Sequence, residues 1–250
     1  MKKLYEKNEV NFALVWIVAY VVLSSVGDSV SDSLGIIKVV TAPICVALTA
    51  LLACWIGRNG LNEKYGLIPF RGDAKKFLYF VPLVLLSTTN IWWGVRLNMT
   101  VMESALYVVS MLCAGFVEEV LFRGFLFKAM CKDNVKTAIV VSSLTFGIGH
   151  IVNLLSGKDT LGTLLQVCYA AAIGFLFTIL FLKGKSLWPC IITHSAINSL
   201  STFHNKDAIT PENRLIASAF LCVVSLAYVW LILKNVKGDG GVESNESTVA

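Results

Sequence analysis

Residues 101–128 read VMESALYVVSMLCAGFVEEVLFRGFLFK, and the fold is decided by what this stretch combines. It exceeds the about 20 mostly apolar residues that cross roughly 30 Å of hydrocarbon as a helix. Yet Glu118, Glu119 and Arg123 sit inside it among Phe, Leu and Val. An ionisable side chain at that depth costs several kcal/mol, from about 2.5 to over 10, so a cluster of them marks a function or a structural pair. Helical spacing separates the two. Glu119 and Arg123 are four apart and share a face, where they can pair, while Glu118 is turned about 100° from Glu119 and can point elsewhere.

The same apolar character extends along most of the chain. Of its 250 residues, 56% are hydrophobic and 15% charged, against about 25% charged in an ordinary soluble domain, so lipid is the main solvent. Candidate spans run over 10–27, 36–57, 76–95, 101–128, 136–154, 161–183, 187–203 and 212–234. The expected fold is therefore all-α, a polytopic membrane protein of about eight transmembrane helices in one bundle. The fifth and seventh spans are the weakest by hydropathy, because each holds a histidine and several Ser, Thr or Asn. Such residues predict helices that face other helices rather than lipid.

Of the 21 Lys and Arg, 15 fall in both tails and the even-numbered loops, whereas Arg96, Lys158, Lys206 and Arg214 occupy the opposite loops. The positive-inside rule then predicts both termini in the cytoplasm and a multi-pass protein of the cell membrane. The net charge of +5 is spread through short loops and forms no stripe, which excludes a nucleic-acid partner and leaves the bilayer as the expected one. Lys2, Lys3 and Lys7 ahead of the apolar Phe12–Val26 run are read as the start of an uncleaved first helix, not a signal peptide. The seven cysteines show no CxxC spacing and lie mostly in apolar runs, where Cys acts as a small hydrophobe. The longest internal loop, 58–75, is expected to be cytoplasmic with an interfacial turn, and the polar stretch 238–250 to be disordered.

Two further spans carry chemistry. LTFGIGHIVN, residues 144–153, puts Phe146 and His150 on one helical face, with Gly147 and Gly149 predicted to let a neighbouring helix approach. SLWPCIITHSAINS, residues 186–199, puts His194 and Asn198 on one face after Pro189, which suits a first turn. Either histidine alone reads as a buried, satisfied side chain. Counting about 1.5 Å per residue from the cytoplasmic helix ends, however, brings Glu118, His150, His194 and Asn198 to one level. A carboxylate, two imidazoles and a carboxamide in a sheltered cavity are what hydrolysis of an amide by water requires: a base for the water and donors for the oxyanion.

In order, Glu118-Glu119-x-x-x-Arg123, Phe146-x-x-x-His150 and His194-x-x-x-Asn198 resemble the three motifs of the CPBP family of intramembrane proteases, the CAAX proteases and bacteriocin-processing enzymes also called Abi. The likeness covers about 90 residues. It implies a protease domain over 1–237 with its motif-bearing core at about 112–200, and an endopeptidase acting near the cytoplasmic face on a membrane-associated or prenylated CAAX-type protein or a small peptide. By motif, Glu118 with His150 would activate the water and His194 with Asn198 would stabilise the oxyanion. Glu119, Arg123 and Phe146 would support them. No cofactor is expected; the alternative is zinc held by Glu118, His150 and His194, although HExxH is absent.

Two rival classes remain at this stage. A non-catalytic membrane immunity or scaffold protein would reuse the fold without chemistry, and a transporter would use the buried carboxylate and histidines as a proton relay. No inverted repeat or pair of broken helices supports the transporter. The remaining polar residues read as structural: His204 as an exposed loop residue, Lys38 as a snorkelling side chain, Asp28 and Asp32 as an external acidic loop, and Trp92, Trp93 and Trp188 as an interfacial belt.

Overall fold

The computed structural model describes residues 1–154, 157 and 159–236, so the stretch expected to be disordered at 238–250 lies outside the described residues. After a short helical turn at Lys2–Lys7, eight α-helices of eight residues or more follow among the described residues. They are α1 (Glu9–Ser33), α2 (Thr41–Arg58), α3 (Val81–Thr88), α4 (Val101–Glu119), α5 (Val135–Gly149), α6 (Thr160–Gly184), α7 (Trp188–Leu200) and α8 (Pro211–Asn235). No strand occurs among the described residues, where an isolated bridge joins Val95 to His204. The chain is a polytopic all-α membrane protein. Among the described residues six helices are long and apolar enough to cross a membrane: α1, α2, α5, α6, α8, and α4 with its continuation to Met130.

Local chemistry sets the helix starts. Asn8, Thr100, Asn134, Asp159 and Thr210 each cap a helix by accepting a backbone N–H through the side chain, and Thr100 with Glu103 completes a capping box on α4. Pro82, Pro189 and Pro211 stand in first turns, where a missing N–H costs nothing.

At 76–95 and 187–203 the regular α-helix is shorter than the expected spans. Regular α-helix in the first is confined to the eight residues of α3, because Leu78, Tyr79 and Phe80 adopt left-handed backbone with φ of 50°, 49° and 59°. L-residues reach that region at a cost, here offset by a cluster in which Phe70 packs edge-on to Phe77 and Phe80 at 5.2 and 5.0 Å. The second span, α7, has 13 residues, about 20 Å of helix, too short to cross alone. It packs along α4 with Cys190, Ile191, Thr193, His194 and Ser195 buried, while Trp188 and Ile192 are exposed.

Close helix approaches fix the site. A Cβ on Gly115 would stand 2.7 Å from Ser195 N and 2.9 Å from Ser195 Cα, so α4 and α7 touch backbone to backbone three residues before Glu118. Gly147 does the same for α5 against α6, where a Cβ would meet Val167 O at 2.8 Å and Ala171 N at 2.9 Å. Gly149, expected to act likewise, faces open space. Gly147→Ala is therefore expected to destabilise the protein by about 1 to 3 kcal/mol through overpacking. Gly149→Ala should be neutral or stabilising by up to about 1 kcal/mol through helix propensity. Thermal unfolding of both variants in detergent checks the contrast, and equal destabilisation would contradict it.

At the end of the bundle that carries the termini, Phe12, Trp55, Tyr65 and Phe125 pack ring on ring, with centroids 4.9 to 5.9 Å apart for the pairs in contact. Lys64 covers them, donating to Glu9 and to Tyr5 Oη at 2.7 Å each. Burial pulls the Lys64 ammonium down, but these two bonds outweigh it and hold its pKa above the ordinary lysine value. The 58–75 loop is stitched to the start of α7, since Leu187 N donates to Gly66 O at 2.8 Å and Ser186 Oγ to Ile68 O at 2.7 Å.

Candidate active site

Beyond Glu119, α4 widens into a π-helical turn, Val120–Phe127, all of whose side chains are buried. Such turns inside α-helices concentrate at functional sites because they re-aim side chains. Glu119 and Arg123 pair across it at 3.0 Å with no exposure on either side chain. Arg123 also lies over the Phe146 ring at 4.1 Å, a desolvated cation–π contact.

His194 joins this pair from α7. Its Nδ1 is 2.8 Å from Glu119 Oε1, and its Nε2 faces Glu118 Oε2 at 3.6 Å. One carboxylate thus fixes the imidazole while the other stands before its free edge, the arrangement that sets a histidine ring's orientation in acid–base sites. Phe146 packs edge-on against both histidines, 5.3 Å from His150 and 5.5 Å from His194. His150 Nδ1 lies 3.0 Å from Phe146 O, at the junction where α5 passes into the 3₁₀ turn His150–Leu154.

Glu118, His150, His194 and Asn198 all line one cavity of about 350 Å³. The helical spacings therefore place the four side chains together, and the Glu119–Arg123 pair forms beside them. The three side chains considered for zinc do not form a ligand set: no group of three His, Cys, Asp or Glu among the described residues is placed to hold a metal ion.

Three features of the cavity differ from the sequence reading. Tyr20 of α1 donates to Glu118 Oε1 at 2.7 Å, a contact between residues 98 apart in the chain that no motif marks. The one available signal is a phenolic hydroxyl in the middle of an apolar run. Asp28 is part of α1 rather than an external loop, and Lys38 is an ion-paired residue rather than a snorkelling one. Its Nζ bonds both Asp28 carboxylate oxygens at 2.7 and 2.8 Å, while Thr41 Oγ1 donates to Asp28 at 2.5 Å, and all three line the cavity wall. His204 is half-buried, bonded through Nδ1 to Ser201 O, and lines a neighbouring cavity.

Tyr20→Phe removes the hydroxyl that donates to the Glu118 carboxylate. A bond to a charged group is worth about 1.5 to 3 kcal/mol, so turnover should fall by about 10- to 100-fold if that bond positions the carboxylate for reaction. A Tyr20→Phe enzyme with unchanged kcat would remove Tyr20 from the site.

Residues 100–200 match the family described as type II CAAX prenyl endopeptidase Rce1-like. That segment holds all three motifs. The motif-bearing region is thus similar to the CPBP/CAAX protease family. Among curated relatives, the Bacillus subtilis (strain 168) protein named "Putative membrane peptidase YdiL" is 30% identical over 93 residues, 37% of this chain. The chain spans 34% of that relative's length. No solved structure matches. Within the CPBP/CAAX match, Glu118, Glu119, Arg123, Phe146, His150, His194 and Asn198 all fall inside the matched segment, whereas Tyr20, Asp28 and Lys38 lie outside it.

Proposed function

We propose that this chain is an intramembrane endopeptidase that hydrolyses a peptide bond of a membrane-associated polypeptide with a water activated by Glu118. The observation that carries the reading is the convergence of Glu118 and His194 at 3.6 Å in a cavity that His150 and Asn198 also line. Glu118 takes the proton of the attacking water, and the hydroxide adds to the scissile carbonyl. The resulting oxyanion needs N–H donors, which His194 and Asn198 supply, with His150 serving beside Glu118 at the water. Glu118 then returns the proton to the leaving amine as the carbon–nitrogen bond breaks. Glu119 acts through His194, holding its Nδ1, and Arg123 acts through Glu119.

Within the same reading both termini lie in the cytoplasm, which the distribution of Lys and Arg supports. Prenylated CAAX proteins are the substrates that the family's name carries. The broader class proposed is any polypeptide held at the membrane whose chain can enter the cavity. The test is reconstitution in proteoliposomes with a library of membrane-anchored peptides, with and without prenyl groups, and mass spectrometry of the new termini. Wild-type protein should generate discrete termini that Glu118→Gln does not. Identical products from both would end the mechanism.

A further inference from the structure

The four side chains of the proposed site are not held alike. Glu118 accepts a bond from Tyr20, His194 Nδ1 is bonded to Glu119, and His150 Nδ1 to Phe146 O. Asn198 has no such partner: among the described residues its carboxamide makes no hydrogen bond, although it lines the same cavity. Its direction is therefore set by its backbone alone. That backbone lies in the last turn of α7, two residues before Leu200, where carbonyls lose their intrahelical partners and helices fray.

Two side chains hold this turn. Asn90 Nδ2 donates to Ile197 O at 2.7 Å, across 107 residues of chain, and Ser201 Oγ donates to Asn198 O at 2.6 Å. The peptide units on both sides of the Asn198 Cα are thus tied. Because each peptide is planar, holding both fixes the direction of the Cα–Cβ bond between them. Ile197 O also accepts the Ser201 N–H, which its two lone pairs allow. A carbonyl oxygen only accepts, so the hydrogen-bond network turns the nitrogen of the Asn90 carboxamide toward Ile197.

Ser201 follows Asn198 by three residues and moves with the helix end, whereas Asn90 ties that end to a separate element. It belongs to the 3₁₀ turn Thr89–Ile91 after α3, and α3 packs against α7 and α8. Farther along, the same segment runs beside the residues that follow α7. Arg96 N donates to Phe203 O at 2.8 Å, Asn98 Nδ2 to His204 O at 2.8 Å, and Asn205 N to Gly94 O at 3.2 Å. Asn90 lies outside the matched segment 100–200 that carries the three motifs.

We infer that Asn90 is a positioning residue for the site: by holding Ile197 O, it directs the Asn198 carboxamide toward the developing oxyanion. The inference rests on the peptidase reading for the oxyanion, while the tie between Asn90 and α7 is independent of it.

The experiment uses the full-length protein in proteoliposomes and a membrane-anchored peptide that wild type cleaves. Asn90→Leu keeps most of the side chain's bulk and removes the donor. Its kcat should fall by about 10- to 100-fold, the cost of misplacing a stabilising group by about an ångström, with KM within about twofold of wild type. Asn198→Ala removes the oxyanion donor itself and should cost about 10²- to 10³-fold. A residue that acts through Asn198 adds nothing once Asn198 is gone, so the double variant should turn over no more slowly than Asn198→Ala alone. Losses that multiply in the double variant, or a wild-type kcat in Asn90→Leu, would overturn the inference. Asn98→Ala cuts the neighbouring bond to His204 O and controls for general loosening; a loss of kcat there equal to that of Asn90→Leu would overturn it as well. Should Asn90→Leu not fold, Asn90→Ala takes its place in the cycle. Hydrogen exchange supplies a readout without turnover: the Ser201 amide, which shares Ile197 O with Asn90, should exchange about 10-fold faster in Asn90→Leu. Unchanged exchange would remove the tie whether or not any peptide is cut, whereas a wild-type protein that cleaves nothing would sink the peptidase reading and leave the tie standing.

Discussion

Replacing Glu118 with glutamine should lower kcat by about 10²- to 10⁴-fold, the range that a positioned general base contributes. The substitution keeps the side chain's length, and the Gln carbonyl oxygen can still accept the Tyr20 hydroxyl that Glu118 Oε1 accepts at 2.7 Å. It removes the basic oxygen that faces His194 Nε2. Stability should therefore change little, since Glu118 is not the carboxylate that pairs with Arg123. KM should also stay near the wild-type value, because the lost interaction belongs to the transition state rather than to substrate binding. Proteoliposome kinetics on a peptide cleaved by wild type, together with unfolding of both proteins in detergent, separate these effects. A Gln variant that turns over at the wild-type rate would leave the convergence of four polar side chains without a catalytic explanation.

Helical periodicity made the core of this site legible because its parts are local. Glu119 and Arg123 four apart, Phe146 and His150 four apart, and His194 and Asn198 four apart need only the 3.6-residue repeat to be placed on common faces. Depth along each helix then brings the three faces to one level. What sequence did not reveal is long-range or concerns backbone direction. Tyr20 meets Glu118 across 98 residues, and Lys38 reaches Asp28 because Lys38 itself adopts a left-handed φ of 61°, which no hydropathy window registers. Hydropathy also counts α3 and α7 as spans, since it measures apolar content and not whether eight or thirteen residues of helix are long enough to cross.

Arg123→Met is expected to cost about 3 to 5 kcal/mol of stability, the usual penalty for stripping one partner from a fully buried ion pair. Neither Arg123 nor Glu119 has any side-chain exposure, so the abandoned carboxylate cannot recover hydration without opening the bundle. His194 remains bonded to it at 2.8 Å, and that contact with it is what the orphaned charge will distort. The loss of the cation from the Phe146 ring, 4.1 Å away, loosens the same wall of the cavity. Adding Glu119→Gln removes the unpaired charge, so the double variant should be more stable than Arg123→Met alone while remaining poorly active. Its His194 then bonds an amide instead of a carboxylate, and the ring's orienting charge is gone. Thermal unfolding of the two single variants and the double variant in detergent yields the coupling energy between positions 119 and 123. If Arg123→Met cost less than about 1 kcal/mol, in the range of a solvent-exposed pair, the Glu119–Arg123 bond would be solvated in the membrane and its complete burial would have to be abandoned.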